Sequence, residues 1–61
     1  MEYWFVMWDY ATREFIAVKP KNDMITNIQY AKSEYEPLGY KIITGPFDSE
    51  QLALDYIEEL E

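Results

Sequence analysis

Two short segments near the start of the chain are apolar at almost every position. Residues 3–8 and 14–19 are rich in aromatic and β-branched side chains, which are typical of strands, and the polar residues 9–13 between them predict a turn. Pro20 ends the second strand because proline has no N–H to give to a sheet. The pattern therefore predicts a β-hairpin whose strands are apolar on both faces.

The middle of the chain has the spacing of a helix. Apolar and amphipathic residues recur every three or four positions over 23–35, and we expect the helix to begin between residues 23 and 27. The residues available to cap its start are Asn22, Asp23, Thr26 and Gln29. Pro37 and Gly39 are typical of a helix end.

Residues 40–44 predict a third strand, which we expect Gly45-Pro46 to break. With a final helix after it, the order of elements is β-β-α-β-α. This order predicts one α+β domain over residues 1–61, with a three-stranded antiparallel sheet and two helices. We expect both helices to pack on the same face of that sheet.

The final helix is predicted over residues 48–61. Asp48 is the expected N-cap, with Gln51 completing a capping box, and Phe47 and Leu52 are spaced as a hydrophobic staple. One apolar stripe follows the helix and consists of Leu52, Ala53, Tyr56, Ile57 and Leu60.

The same helix carries most of the net charge of −7. Residues 48–61 contain six acids and no base, which leaves −1 for the rest of the chain. Acids in such a run often only keep a small protein in solution, but they can also form a surface that mimics nucleic-acid phosphates and binds a basic protein. The candidate partner-binding residues are Glu50, Leu54, Asp55, Glu58, Glu59 and Glu61.

The two-sided apolar strands predict a second contact surface. If both helices cover one face of the sheet, the other face carries large side chains without a cover, and exposed apolar patches usually mark contacts. Loops and the amphipathic rims of Trp and Tyr are the alternative explanation. The candidate self-association residues, which predict a homodimer, are Trp4, Val6, Trp8, Ile16 and Val18.

Several classes of function are disfavoured by composition. The chain has no Cys and no His, so we expect no disulfide, no enzyme activity, no cofactor and no metal site with those ligands. An all-carboxylate site for Ca²⁺ or Mg²⁺ stays open, but the D-x-[DN]-x-[DN]-G loop is missing, so we expect no metal. The negative charge argues against nucleic acid as a partner, and the few cations around Lys19, Lys21 and Arg13 are explained more simply as solvated loop charges. We expect no membrane contact and a cytoplasmic location, since neither a membrane-spanning run nor a signal peptide pattern is present.

Residues 39–57 resemble the C-terminal part of the ribonuclease H N-terminal module, also called the viroplasmin-like module. The shared pattern is a strand, an aromatic residue and a capped helix start, followed by an Ala and an apolar pair; here these are Phe47, Ala53, Tyr56 and Ile57. The resemblance implies the β-β-α-β-α fold and binding of RNA–DNA hybrid or double-stranded RNA. Unlike that family, this chain is acidic and has no glycine in its hairpin turn.

Small size, acidity and aromatic content are also similar to those of phage and mobile-element proteins that inhibit host factors. The sequence therefore predicts a non-catalytic binding module that occludes a basic surface of a nucleic-acid-handling protein. The alternative is a viroplasmin-like nucleic-acid-binding module.

Overall fold

A three-stranded antiparallel sheet and two α-helices make up the computed structural model, which describes residues 3–61. The elements are β1 (Trp4–Asp9), β2 (Glu14–Val18), α1 (Ile28–Tyr35), a 3-10 turn (Glu36–Leu38), β3 (Tyr40–Phe47) and α2 (Glu50–Leu60). The predicted α+β class and the β-β-α-β-α order are confirmed.

The sheet has the order β2-β1-β3, so β1 is its central strand. Phe5 pairs with Val18 and Met7 with Ile16 across β1 and β2. Met7 also pairs with Ile42 of β3, and the β1–β3 register shifts on either side of Val6. Because β2 and β3 are the two edge strands, the segment that contains α1 crosses from one edge of the sheet to the other.

One helix lies on each face of the sheet, so the expectation that both pack on one face is wrong. Phe5 and Met7 are fully buried in one cluster with Ala31 of α1. Val6 points to the opposite face, because successive side chains alternate in a strand, and it is also 0% exposed. Its cover is α2, which contacts all three strands and whose Ala53 is fully buried.

This arrangement gives the two-sided apolar pattern of β1 a structural explanation. The crossover between β2 and β3 places α1 over one face, and α2, which follows β3, takes the face that remains. The ring centroids of Phe47 and Tyr56 lie 5.8 Å apart, so the end of β3 packs against α2. The central strand is thus apolar on both sides because it has a helix on both sides.

The first helix begins later than expected, at Ile28, and its N-cap is Asn27. The Asn27 side chain accepts hydrogen bonds from the backbone N–H groups of Gln29 and Tyr30, at 2.9 and 3.1 Å. Asn22 is not a cap because its side chain accepts the N–H of Met24 in a turn of the preceding loop. The sequence pattern places Ile25 in the helix. In the structure it lies in the loop, where its side chain is still buried in the core.

The start of α2 is also shifted by one residue, because Ser49 rather than Asp48 is the N-cap. The Ser49 hydroxyl accepts the N–H of Leu52 at 3.3 Å. Gln51 is then one position too early for a capping box, and its side chain instead donates to Asp55 at 2.9 Å. The staple prediction is wrong for the same reason, and Leu52 is half exposed.

The third strand continues through Gly45-Pro46, whose peptide bond is cis, as far as Phe47. Proline is tolerated here because β3 is an edge strand. Gly45 has a φ of 149°, and a Cβ at this position would overlap the ring of Phe5. Glycine is therefore required both by the backbone conformation and by the close approach of the core.

Candidate interaction surfaces

The outer face of α2 is acidic and open to solvent. Glu50, Asp55, Glu58, Glu59 and Glu61 are all exposed, and the helix contains no Lys or Arg. Ala53 is buried against the sheet and fixes the inner side of the helix. The predicted partner-binding acids therefore all lie at accessible positions of one element.

These acids form two groups when the helix is viewed down its axis. With 3.6 residues per turn, Leu54 lies about 100° from Ala53, with Glu50 and Glu58 one turn before and after it. We call these three residues the Leu54 row. Leu54 is 43% exposed, so the row presents an apolar side chain between two carboxylates. Asp55 and Glu59 lie elsewhere around the helix, and the side chain of Asp55 is held by Gln51.

A shallow aromatic groove lies on the same face of the sheet, where α2 does not cover it. Its volume is about 370 Å³, and its lining residues, which define the aromatic groove below, are Trp8, Tyr10, Phe15, Lys41 and Ile43. The rings of Trp8 and Phe15 meet edge to face with their centroids 4.8 Å apart. Tyr10 is 59% exposed, so the groove is open at the turn that follows β1.

The aromatic groove carries positive charge in an acidic chain. Lys41 pairs with Trp8 across β3 and β1, and no acid is among the described lining residues. Asp9 and Glu14 pair with each other at the same end of the sheet. By strand alternation they point to the opposite face, away from Trp8.

The structure does not bring the five predicted self-association residues together. Trp4 and Trp8 share the α2 face with Val6, but Val6 is fully buried and inaccessible in the folded chain. Ile16 and Val18 lie on the other face, where they pack against the core under α1. Of the five, Trp8 lines the aromatic groove and Val18 lines a cavity beside the loop that follows β2. Self-association itself stays a prediction.

The sequence pattern does not indicate Tyr10, Lys41 and Ile43 as members of that surface. It predicts a turn at Tyr10 and a strand that contains Lys41 and Ile43. Their alternation in β3 was a usable signal, since residues two apart in a strand share a face. The pairing of β3 with β1 was the missing information.

The cations predicted as a weak basic cluster are separated. Lys19 and Lys21 line two cavities beside the loop that follows β2, with volumes of about 270 and 340 Å³, together with Asp23 and Glu34. Arg13 precedes β2 and so lies at the other end of that strand, with a φ of 59° in the hairpin turn. The loop is thus a surface of mixed charge.

One tyrosine has a perturbed acidity. Burial is the main cause that raises the pKa of Tyr35, and the nearby charges of Glu34 and Tyr40 raise it further. The rings of Tyr35 and Tyr40 are in contact, with centroids 6.2 Å apart at the edge of the core. This side chain supports packing, and its acidity has a consequence for stability at high pH.

The described residues contain no group of three or more carboxylates placed to hold a metal ion. Over the same residues, no helix has the length and apolar character needed to cross a membrane. No family model, curated protein or solved structure matches this chain. The viroplasmin-like resemblance therefore stays a prediction from the sequence.

Proposed function

We propose that this chain is a small, non-catalytic binding module whose helix α2 occludes a basic surface of a nucleic-acid-handling protein. The observation that carries the proposal is the outer face of α2. This face presents five exposed acids and the half-exposed Leu54, and the helix contains no Lys or Arg. Carboxylates on a rigid helix can take the place of phosphates against Lys and Arg side chains. This is the mode of action predicted for acidic inhibitors of the phage type.

The position of the acids gives the proposal further support, because folding alone does not favour it. Glu58, Glu59 and Glu61 lie at the C-terminal end of α2, where the helix dipole prefers cations, and its last turn has no basic residue. Asp55 and Glu59 are like charges one turn apart, which costs a few tenths of a kcal/mol. A basic partner would turn these unfavourable charges into favourable contacts.

Leu54 gives this surface a means of specificity beyond charge. Rim charges mainly raise the rate of association, whereas a desolvated apolar side chain at the centre of a contact slows dissociation. Leu54 lies between Glu50 and Glu58 on the helix. This is the position expected of an apolar contact with charged neighbours on both sides.

The test is a comparison of two charge reversals that change the net charge equally. Glu58→Lys with Glu59→Lys alters α2, and Glu34→Lys with Glu36→Lys alters exposed acids of α1 and the 3-10 turn. Both variants and the wild-type chain serve as baits for capture from the native host, followed by titration of the captured protein at several salt concentrations. We expect the α2 variant to lose the partner and the control to keep it, with a smaller salt dependence for any residual binding of the α2 variant. Equal loss in both variants, or no loss in either, would refute the proposal.

A second candidate function is binding of RNA–DNA hybrid or double-stranded RNA. The observation that favours it is the aromatic groove, since aromatic rings beside a lysine can stack bases and contact a phosphate. Fluorescence titration with RNA–DNA hybrid at low salt tests it, with Lys41→Glu as the groove variant. The absence of binding at about 10⁻⁴ M, the weak end of non-specific affinity, excludes this candidate.

A further inference from the structure

The aromatic groove is an apolar surface that its own chain leaves open. Its residues come from the three strands and the turn after β1, and within the described chain none comes from α2. Exposed aromatic side chains are typical of contact surfaces. An occupant is therefore expected, and its chemistry can be inferred from the lining.

The charges of the groove select the occupant. Lys41 is exposed at the groove and no acid is among the lining residues, whereas the chain as a whole has a net charge of −7. A complementary segment carries an apolar side chain for the aromatic floor and a carboxylate for Lys41. A basic segment would place like charges together at this position.

The Leu54 row of α2 has this chemistry. It offers a half-exposed leucine with a glutamate one turn away on each side, and all three side chains are accessible. We infer that the aromatic groove binds the Leu54 row of a second copy of this chain. The charge complementarity between the cationic groove and the acidic row is the observation that selects a second copy.

The contact is between molecules because α2 is already fixed on its own sheet. Ala53 is buried beneath α2, and the ring contact between Tyr56 and Phe47 holds the helix beside the end of β3. The groove and the helix lie on the same face of the sheet, so two copies that meet through this face can exchange both contacts about a two-fold axis. Each α2 would then lie between its own sheet and that of the second copy.

Self-association of this kind would also regulate the proposed function, and this consequence alone rests on that proposal. A docked Leu54 row is hidden from a basic partner, so the partner and the second copy compete for α2. The contact itself is testable without any partner.

The experiment is sedimentation equilibrium with two single variants and their mixture. Lys41→Glu damages the groove and Leu54→Asp damages the row, and we expect each to weaken the dimer at least tenfold. An equimolar mixture retains one intact groove and one intact row on different chains. We therefore expect the mixture to form more dimer than either variant alone.

The matched controls make the same chemical changes on other surfaces. Lys21→Glu alters an exposed loop lysine, and Leu38→Asp alters a leucine that is 66% exposed in the 3-10 turn. Circular dichroism confirms that each variant is folded before it is compared. We expect both controls to keep the wild-type dimer.

Three results would overturn the inference. The first is a wild-type chain that stays monomeric up to about 0.5 mM, which corresponds to an association free energy too weak to matter in a cell. The second is a dimer that survives both groove and row variants or is lost equally in the controls. The third is a mixture that associates no better than its components, which would place the two residues outside a shared contact.

Discussion

Truncation of Val6 tests whether α2 covers the second face of the sheet. Val6 is 0% exposed, lies on the α2 face of β1 and pairs with Ala17 of β2. Val6→Ala removes two methyl groups from a buried site, which costs about 1.6 kcal/mol in transfer free energy at about 0.8 kcal/mol per group. A residual cavity raises the total to about 2–2.5 kcal/mol if the site does not collapse.

The loss would be a large part of the stability that so small a core can supply, which is about 3–5 kcal/mol. The assay is urea unfolding followed by tryptophan fluorescence, with a lower midpoint and an unchanged slope as the expected result. Leu38→Ala, at a residue that is 66% exposed, is the control and should cost less than about 0.5 kcal/mol. A cost for Val6→Ala as small as that of the control would refute a cover by α2.

Three further predictions test local features of the fold. Gly45→Ala should lower the free energy of unfolding by about 1–3 kcal/mol, because the new Cβ overlaps the Phe5 ring at a positive φ, and urea unfolding measures the loss. Ser49→Ala should lower the free energy of unfolding by about 1 kcal/mol and Asp48→Ala by only a few tenths, since Ser49 is the N-cap of α2. Thermal unfolding measures both losses, and the opposite order would support Asp48 as the cap. Because the folded state holds the pKa of Tyr35 above the ordinary value of 10.0, stability from this group is present below pH 10 and is lost as the pH rises through the raised pKa. Tyr35→Phe should therefore flatten the decline of the unfolding midpoint above pH 10. An identical decline in the wild-type chain and the variant would exclude this contribution.

The order of elements was predictable because local patterns determine it. The hairpin strands are rich in β-branched and aromatic residues, and the apolar stripe of α2 has helical spacing. The helix starts were less predictable, because neighbouring polar residues compete for the same cap. At α2 both Asp48 and Ser49 can cap, and only the backbone conformation of Ser49 settles which side chain meets the N–H of Leu52.

The position of the helices depends on long-range pairing that no local pattern contains. The apolar character of Val6 is compatible either with an uncovered face of the sheet or with a second helix that covers this face. The packing of the core decides between them, since α1 covers the face of Phe5 and Met7 and α2 covers the face of Val6. The acidic positions of α2 were predictable from sequence, but the aromatic groove was not, because Lys41 and Trp8 meet only through the pairing of β3 with β1.

The acidic face of α2 is the surface that we propose to bind a basic protein. The most direct measurement is amide chemical-shift mapping of the isotope-labelled chain during titration with the captured partner. We expect shifts and broadening at Glu50–Leu60, strongest around Leu54, and none of similar size in α1. A response confined to the aromatic groove, to the loop that follows β2 or to α1 would contradict this proposal.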